Sequence, residues 1–406
     1  MKQPNRFCWF CVIIFLFAIS IFGNGCDDDD DDDDDQTMDD DATDDDATDD
    51  DALDDDALDD DAGDDDTADD DLPDGCITGD FTLYFGIFHS HSSFSDGKGR
   101  PPEAYAYARD EGELDVFALT DHLEYLYIPV PPDKYARLLE VADEFDDPGS
   151  YVALAGFEYS LALDLRHFTW AGHSNVFFSP ELFTWIMLDY HEFFEELLAC
   201  PQCLASFNHP GWDGQTNWDG FTYVPEVDPQ ITTIELSTWD LDAWPFLFEA
   251  LDQGWHVSPT WNQDNHERGW GTEDDTRTGV WLDVLTRDGV YDALLNRRTF
   301  STLDRNADIL LTTSQGCWMG SDLRGTQTAT LIVEADDPDA GDGFAALELW
   351  GRGEELLAEF DCDSQLTCHW EIELTLPEAG SYVLARAVED DGDLLVSAPI
   401  WLGEAF

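Results

Sequence analysis

Positive charge is what this sequence has least of. Lysine and arginine together number 17 against 92 aspartates and glutamates in 406 residues, a formal net charge of −75. A surface of that sign repels polyanions, so neither nucleic acid nor an anionic lipid headgroup is an expected partner. Histidine is also scarce, at ten residues, which makes the placing of each one informative. A second CxxC motif to accompany "CPQC" at 200–203 is missing, which argues against a cysteine zinc site. What the chain does have is 43% hydrophobic and 13% aromatic residues. That suffices for a sizeable core, either two domains or one large barrel with an appendage.

The charge is unevenly spread. Residues 27–74 carry nine consecutive aspartates (Asp27–Asp35), then seven DDD triplets repeating with period five, then Asp74. A calcium-binding loop would need a glycine turn that the repeat does not supply. Like charges at this density extend a chain, so 27–75 is expected to be a disordered, solvated tether. Before it, Lys2 and Arg6 precede an apolar run, Phe7–Phe22, and "GNGC" ends at Cys26. This resembles a lipoprotein-type signal peptide over 1–26, with Asn24 departing from the usual box and Cys26 as the lipidated residue. The alternative is an uncleaved anchor, since Phe7–Gly25 is just long enough to span a bilayer. Either reading predicts an exported protein held on a bacterial membrane, periplasmic or at the cell surface. Of the nine cysteines, Cys8 and Cys11 lie in the signal. Six remain after Cys26, an even number that suits disulfides in such a compartment. Cys200–Cys203 and Cys362–Cys368 are plausible local pairs, which leaves Cys76 for Cys317.

From residue 77 strand-like and helix-like stretches alternate. Seven strands are predicted at 81–88, 114–120, 151–157, 173–178, 203–207, 231–236 and 255–261, with helices following Pro101–Pro102 and over 132–145, 180–198 and 243–254. Alternation of this kind implies parallel βαβ units. Ionisable residues gather at strand ends: His89 after "FTLYFGIF", Asp121 and His122 after "LDVFALT", Glu158 after "YVALAGF", His209 after "CLASFN", Asp264 and His266 after "WHVSPTW". His173 instead opens its strand. In a β/α barrel such ends converge on one face. His89 and His91 are two apart, so on a strand they point to the same side. A lone HxH is weak evidence of a metal. Six of ten histidines at strand termini, interleaved with Asp96, Glu158 and Asp264, is a stronger signal. Imidazole and carboxylate together suit zinc, manganese or iron.

The ordered set resembles the PHP superfamily, named for polymerase and histidinol phosphatase. "HSHSSFSDG" at 89–97 is similar to its first motif, "TDH" at 120–122 to its second, "GFEYS" around Glu158 to its third. His173 in "GHSNVFF", His209 in "NHPG" and "DNH" at 264–266 complete it. Ser92 and Gln263 depart from the commoner threonine and serine, but no ligand position is lost. The resemblance implies a distorted (β/α)7 barrel over 76–305. It also implies nine ligands (His89, His91, Asp96, His122, Glu158, His173, His209, Asp264 and His266) holding two or three divalent ions. "DALLNRRTFSTLDRNADILL" and "GCWMGSDL" are further similar to an extracytoplasmic branch related to carbaryl hydrolases. There the barrel is followed by a small β-sandwich-like domain, here 306–406.

The expected activity is metal-dependent hydrolysis, first of phosphoesters, alternatively of carbamates, carboxylic esters or amides; the partner is a small-molecule substrate. Asp121 is expected to orient rather than ligate. His167 is a candidate proton donor, and Lys98, Arg100, Arg166 and Arg268 candidate contacts for an anionic substrate. His191, His256 and His369 are read as structural. A different class of reading is a non-enzymatic surface lipoprotein binding glycan or a partner through an aromatic platform of Trp212, Trp218, Trp239 and Trp244.

Overall fold

Val116–Leu119, Leu204–Phe207 and Ile231–Glu235 are strands in which every residue is buried. Short apolar runs of this kind are what a sheet covered on both faces requires. The computed structural model describes residues 72–127, 133–185, 187, 189–238, 241–376, 378 and 380–403. The signal, the tether up to residue 71, Cys26 and Trp239 lie outside the described residues.

The seven predicted strands are all present, and they lie side by side in sequence order. From Thr82–Ile87 the sheet passes through Val116–Leu119, Val152–Asp164, Thr169–Phe177, Leu204–Phe207, Ile231–Glu235 and Ser258–Thr260. The pairings are not all parallel. Val152–Asp164 and Thr169–Phe177 form an antiparallel hairpin, and Thr169–Phe177 is antiparallel to Leu204–Phe207 as well. Only residues 165–168 join the hairpin strands, too few for the crossover that a parallel pair needs. The helix predicted over 180–198 is also shorter. It occupies Tyr190–Ala199, starting where the Asp189 side chain accepts the His191 amide, an N-cap that sets its first turn.

Helices cover the sheet through spaced apolar positions. Pro101–Asp110 has proline at its first turn and buries Ala104, Tyr105 and Ala108; proline suits that position because its missing N–H has no partner there anyway. Lys134–Phe145 buries Tyr135, Leu138, Val141 and Ala142, one stripe of a helix. Trp244–Gln253 ends at Gly254, whose φ of 111° favours glycine.

The sheet curls back on itself. Thr82–Ile87 pairs antiparallel with Arg277–Leu282, which pairs with Thr299–Thr302. The last strand of the series returns to the same two: Ser258 Oγ lies 2.7 Å from Thr299 Oγ1, and the Trp261 amide donates to Thr278 Oγ1 at 3.0 Å. Three isolated bridges just beyond the strands then bring segments far apart in sequence into register, namely Ser90 with Asn265, His122 with Glu158, and His173 with Asn208.

After residue 305 the chain is strand-rich, as expected, but no break in the sheet marks the transition. Thr299–Thr302 pairs with Leu394–Ser397, which continues into Ser381–Glu389, Phe344–Gly351 and Glu355–Gln365. The last of these was not anticipated, because most of its residues are exposed and its sequence shows no apolar alternation. A second sheet of Asp308–Thr313, Thr328–Asp336 and Thr367–Thr375 packs against this extension, sharing Ile309, Leu331, Val333, Leu347 and Val383 in one core. Disulfides join Cys76 to Cys317, Cys200 to Cys203 and Cys362 to Cys368. The "CPQC" cysteines are therefore bonded to each other, not poised for metal. Cys76–Cys317 closes a separation of 241 residues, worth about 2–5 kcal/mol through the restricted unfolded chain.

Candidate metal centre

Glu158 sits just past the point where its strand leaves the parallel register, and it is 1% exposed. A carboxylate that deep demands compensation. It receives it from five imidazoles. Glu158 Oε2 lies 3.0 Å from His122 Nδ1 and 3.4 Å from both His89 Nε2 and His91 Nε2. Its Oε1 lies 3.0 Å from His173 Nδ1 and 3.0 Å from His209 Nε2. Asp264 Oδ1 makes a second hub, 2.9 Å from His91 Nε2 and 3.2 Å from His89 Nε2. Asp96 Oδ1 makes a third, 3.3 Å from His266 Nε2. The nine side chains resolve into three overlapping groups: His91, Asp96, His122 and His266; His89, His91, Glu158 and Asp264; Glu158, His173 and His209.

All nine predicted ligands are thus brought together, from segments spread between residues 89 and 266. Each group offers nitrogen and oxygen donors, the mix suited to zinc, manganese or iron. A donor atom left over supports the fit. His209 Nδ1 is buried with no hydrogen-bond partner, an arrangement that is expensive unless something else satisfies it. His209 and Asp264 also adopt left-handed backbone, with φ of 26° and 45°, which costs an L-residue roughly 1–3 kcal/mol and collects at functional sites. They are held there by the His209 amide donating to Glu235 Oε2 and the Asp264 amide donating to the His89 carbonyl.

The protonation of the ligands follows from this crowding. Burial opposes charge on His91, but the hydrogen bonds it donates to the carboxylates of Asp264 and Glu158 overcome it and hold the ring at about 10. His89 behaves alike, burial being outweighed by Asp264, Glu235 and Glu158. His122 goes the other way, driven by burial down to about 3. Asp96 falls to about 2: burial would raise it, but the hydrogen bond from His266 and the neighbouring imidazoles prevail. Without cations, protons on His89 and His91 thus take up part of the balance that cations would supply.

Residues around the nine hold them in place. Asp121 stands outside the three groups: its Oδ1 accepts from the Ser92 and Ser95 amides and the Ser95 hydroxyl, and its Oδ2 from the Ser92 hydroxyl at 2.7 Å. Ser92, the departure noted in the first motif, is therefore part of this support. Gln263, the other departure, bonds Asp274 and the Gly271 amide and so braces the loop after His266. Glu235 was not foreseen. Its Oε1 lies 2.8 Å from His89 Nδ1 and accepts from Asn262 Nδ2, fixing which ring nitrogen of His89 faces Glu158. The signal was available, since Glu235 ends the strand "ITTIE" as Glu158 follows the apolar run "YVALAGF". Glu124 was also missed; it is buried against Ser160 Oγ, and burial pushes its carboxyl up to about 7.

The remaining predicted residues stand further out. His167 Nδ1 lies 2.7 Å from Asp164 Oδ2 and 3.8 Å from Asp219 Oδ1. Asp164 is six residues beyond Glu158 on the same strand, about 20 Å at the usual rise. His167 therefore keeps company with this acidic pair and not with the nine. Arg166 shares it, bonding Asp219 Oδ2 at 2.8 Å and the Tyr190 hydroxyl at 2.7 Å. Lys98 pairs with Glu267, Arg100 with Glu103, and Arg268 lies 3.6 Å from Glu103. Each of these four is ion-paired, but Lys98 and Arg268 flank Asp96 and His266 at the edge of the cluster. Of the tryptophans, Trp218 is buried. Trp244 packs edge-on to Phe248 and Trp350, and Trp212 lies against His173 and His209. These three do not make an exposed platform. The His191 ring pairs with Asp189, the N-cap of its helix, His256 pairs with Asp228 and His369 with Glu334.

Nine motif residues in the expected order meet at one place. Together they form three groups that could hold metal ions. No family model matches the sequence, and no curated protein matches it either. Among solved structures it is similar to a two-domain protein from Bacteroides vulgatus containing a predicted PHP-like metal-dependent phosphoesterase, at 20% identity and a TM-score of 0.46, over 81% of this chain and 99% of that one. It is also similar to the lesion-specific endonuclease PfuEndoQ from Pyrococcus furiosus, at 13% identity and a TM-score of 0.33, over 53% of this chain and 56% of that one.

Proposed function

We propose that the chain is a metal-dependent hydrolase of the PHP type acting on phosphoesters through two or three divalent ions. The observation that carries this is Glu158, a buried carboxylate in contact with five imidazoles. One carboxylate placed so can bridge adjacent ions, and purely structural packing has no use for five imidazoles around it. Ions held there would bring bound water within reach of deprotonation near neutral pH and polarise the substrate's phosphoryl or carbonyl oxygen. The protein's own part is to hold the rings. Glu235 and Asn262 fix His89, Asp121 and Ser95 fix the loop of His91, and Asn208 Nδ2 donates to Glu158 Oε1. Glu124, a carboxyl raised by burial and near both Asp96 and Glu158, is the group able to carry a proton at neutral pH. The cations at Lys98 and Arg268 are placed to meet an anionic substrate once their acidic partners release them.

The finer reading includes a (β/α)7 barrel over 76–305 with a β-rich domain over 306–406, export, and a lipid on Cys26 beyond an aspartate tether. Kinship with carbaryl hydrolases is part of the same reading, and it makes carbamate or carboxylic esters the second substrate class. A net charge of −75 disfavours duplex nucleic acid as substrate. The test is a hydrolase panel on the metal-loaded protein. Turnover of p-nitrophenyl phosphate that disappears in His91→Ala supports the phosphoesterase reading. Turnover of carbamate or carboxylic esters alone would replace it with the second, and an inert, fully loaded protein would end both.

A further inference from the structure

Away from the nine ligands, carboxylates meet again where the sheet crosses residue 305. Asp304 follows the strand Thr299–Thr302, Glu389 ends Ser381–Glu389, and Asp393 precedes Leu394–Ser397. Register brings them together. Thr302 pairs with Leu395 and Val388 with Leu394, while the Glu389 amide donates to the Asp393 carbonyl and the Leu303 amide to the Leu394 carbonyl. The three side chains each present an oxygen within 4.8 Å of the others. Asp337, one residue past the strand Thr328–Asp336, lies near enough for its charge to act on Glu389.

Neighbouring acids with no cation among them should not be stable as anions. The nearest base in sequence, Arg305, is turned away to Asp275. Burial pushes Glu389 up to about 8, with Asp304, Asp337, Asp391 and Asp393 adding to it. Burial likewise raises Asp337, against the Asp339 amide that donates to its Oδ1, and Asp393, with neighbouring acids adding to both. A separate observation points to a ligand. Glu389 and Asp337 are 2% and 1% exposed, yet Glu389 Oε1 and Asp337 Oδ2 have no hydrogen-bond partner. Asn306 Oδ1 is unpartnered and buried as well, on the residue whose amide donates to Asp304 Oδ1. Such acceptors are costly if left unsatisfied; Glu389 belongs to the group, Asp337 acts on it by charge, and Asn306 is tied to it through Asp304.

We propose that Asp304, Glu389 and Asp393, with Asp337 and the Asn306 side-chain oxygen, bind one calcium ion that clamps the strands on either side of residue 305. The donor set is entirely oxygen, with neither imidazole nor thiolate, which separates it from the nine-residue centre and selects a hard cation. Several carboxylates plus an amide oxygen drawn from loops suit the six to eight flexible contacts of calcium better than the rigid octahedron of magnesium. The competing state is the same cluster holding shared protons.

The experiment uses the full chain with its imidazole site loaded, titrated with calcium chloride by calorimetry and followed by thermal unfolding. One calcium per chain is expected, with a rise in Tm of a few degrees. Glu389→Gln and Asp393→Asn should each weaken that binding about tenfold or more, as the ligand charge falls. Both remove a repelled charge, so both should fold at least as well as wild type without calcium, and elemental analysis should find the transition metals still present. Wild type showing neither heat nor a Tm change up to about 10 mM calcium, beyond the weakest known protein sites, would overturn the proposal. So would both variants binding as tightly as wild type, as binding by the aspartate repeats or by the imidazole site would predict.

Discussion

Two buried acidic centres in this molecule meet the same difficulty in different ways. In the first part of the chain, Glu158 and Asp264 are surrounded by imidazoles, which take up protons in the absence of cations. At the crossing of residue 305, Glu389 and Asp393 face other carboxylates, and oxygen is the only donor on offer. The first centre pulls carboxylates below their ordinary range: burial would raise Glu158, but its imidazole neighbours hold it well below. The second pushes them above it, Glu389 to about 8. Burial is common to both; the difference lies in the sign of the neighbours, which decides whether a buried carboxylate stays charged.

The comparison breaks most visibly at Glu158. Glu158→Gln keeps the shape but removes the charge shared by five imidazoles. Metal content measured on the purified variant should drop, and kcat/KM should fall roughly 10³-fold; an unaltered metal count would place the hub elsewhere. A smaller effect is expected one step out. Glu235→Gln leaves every proposed ligand in place but loosens His89, so metal affinity or activity should fall about 10–100-fold, read from metal titrations of both proteins.

The opposite electrostatics should show in pH behaviour. In the metal-free protein, the raised His89 and His91 contribute stability that is fully present below the free-imidazole value near 6.5. It is lost as pH rises toward about 10, the value for His91. Asp96 contributes stability present above its unfolded value near 4 and lost as pH falls through about 2. Metal-free protein should therefore become less stable from neutral to alkaline pH, and loading metal near pH 7 should release protons, measurable by calorimetry in buffers of different ionisation enthalpy. The smallest effect lies in the second sheet. Asp308 sits directly opposite Asp336, and burial with the charges of Asp336 and Glu334 pushes it up to about 7. A raised carboxyl contributes stability below its unfolded value and loses it as pH rises through the folded one. Asp308→Asn should stabilise by about 1 kcal/mol at pH 8, after allowance for solvent, and by nothing near pH 3. Activity should not change.

Legibility followed the range of the interactions. The seven strands could be read because "FALT", "ALAGF" and "LASF" are short apolar runs whose burial is written in their own side chains. The nine proposed ligands could be read because polar residues immediately after such runs are conspicuous. The antiparallel hairpin at 152–177 was missed because both strands run on past their apolar stretches, to Asp164 and from Thr169, through residues read as a connection. Glu355–Gln365 was missed because an exposed strand stabilised by its neighbour has no apolar signature. Glu235 was passed over because its strand was noted only for its apolar body. His167 was singled out for being near His173 in sequence, whereas along an extended strand sequence proximity becomes distance.

By itself the sequence determined the chemistry available: an acidic chain poor in bases, cysteines in pairing number, and imidazoles and carboxylates at the ends of apolar segments. Composition and local pattern suffice for that, since a residue carries its donors wherever it lies. Only the tertiary structure decided which acid meets which neighbour, placing Glu158 among imidazoles and Glu389 among carboxylates. Those meetings depend on sheet curvature and strand register between segments tens to hundreds of residues apart, and no local stretch of sequence encodes them.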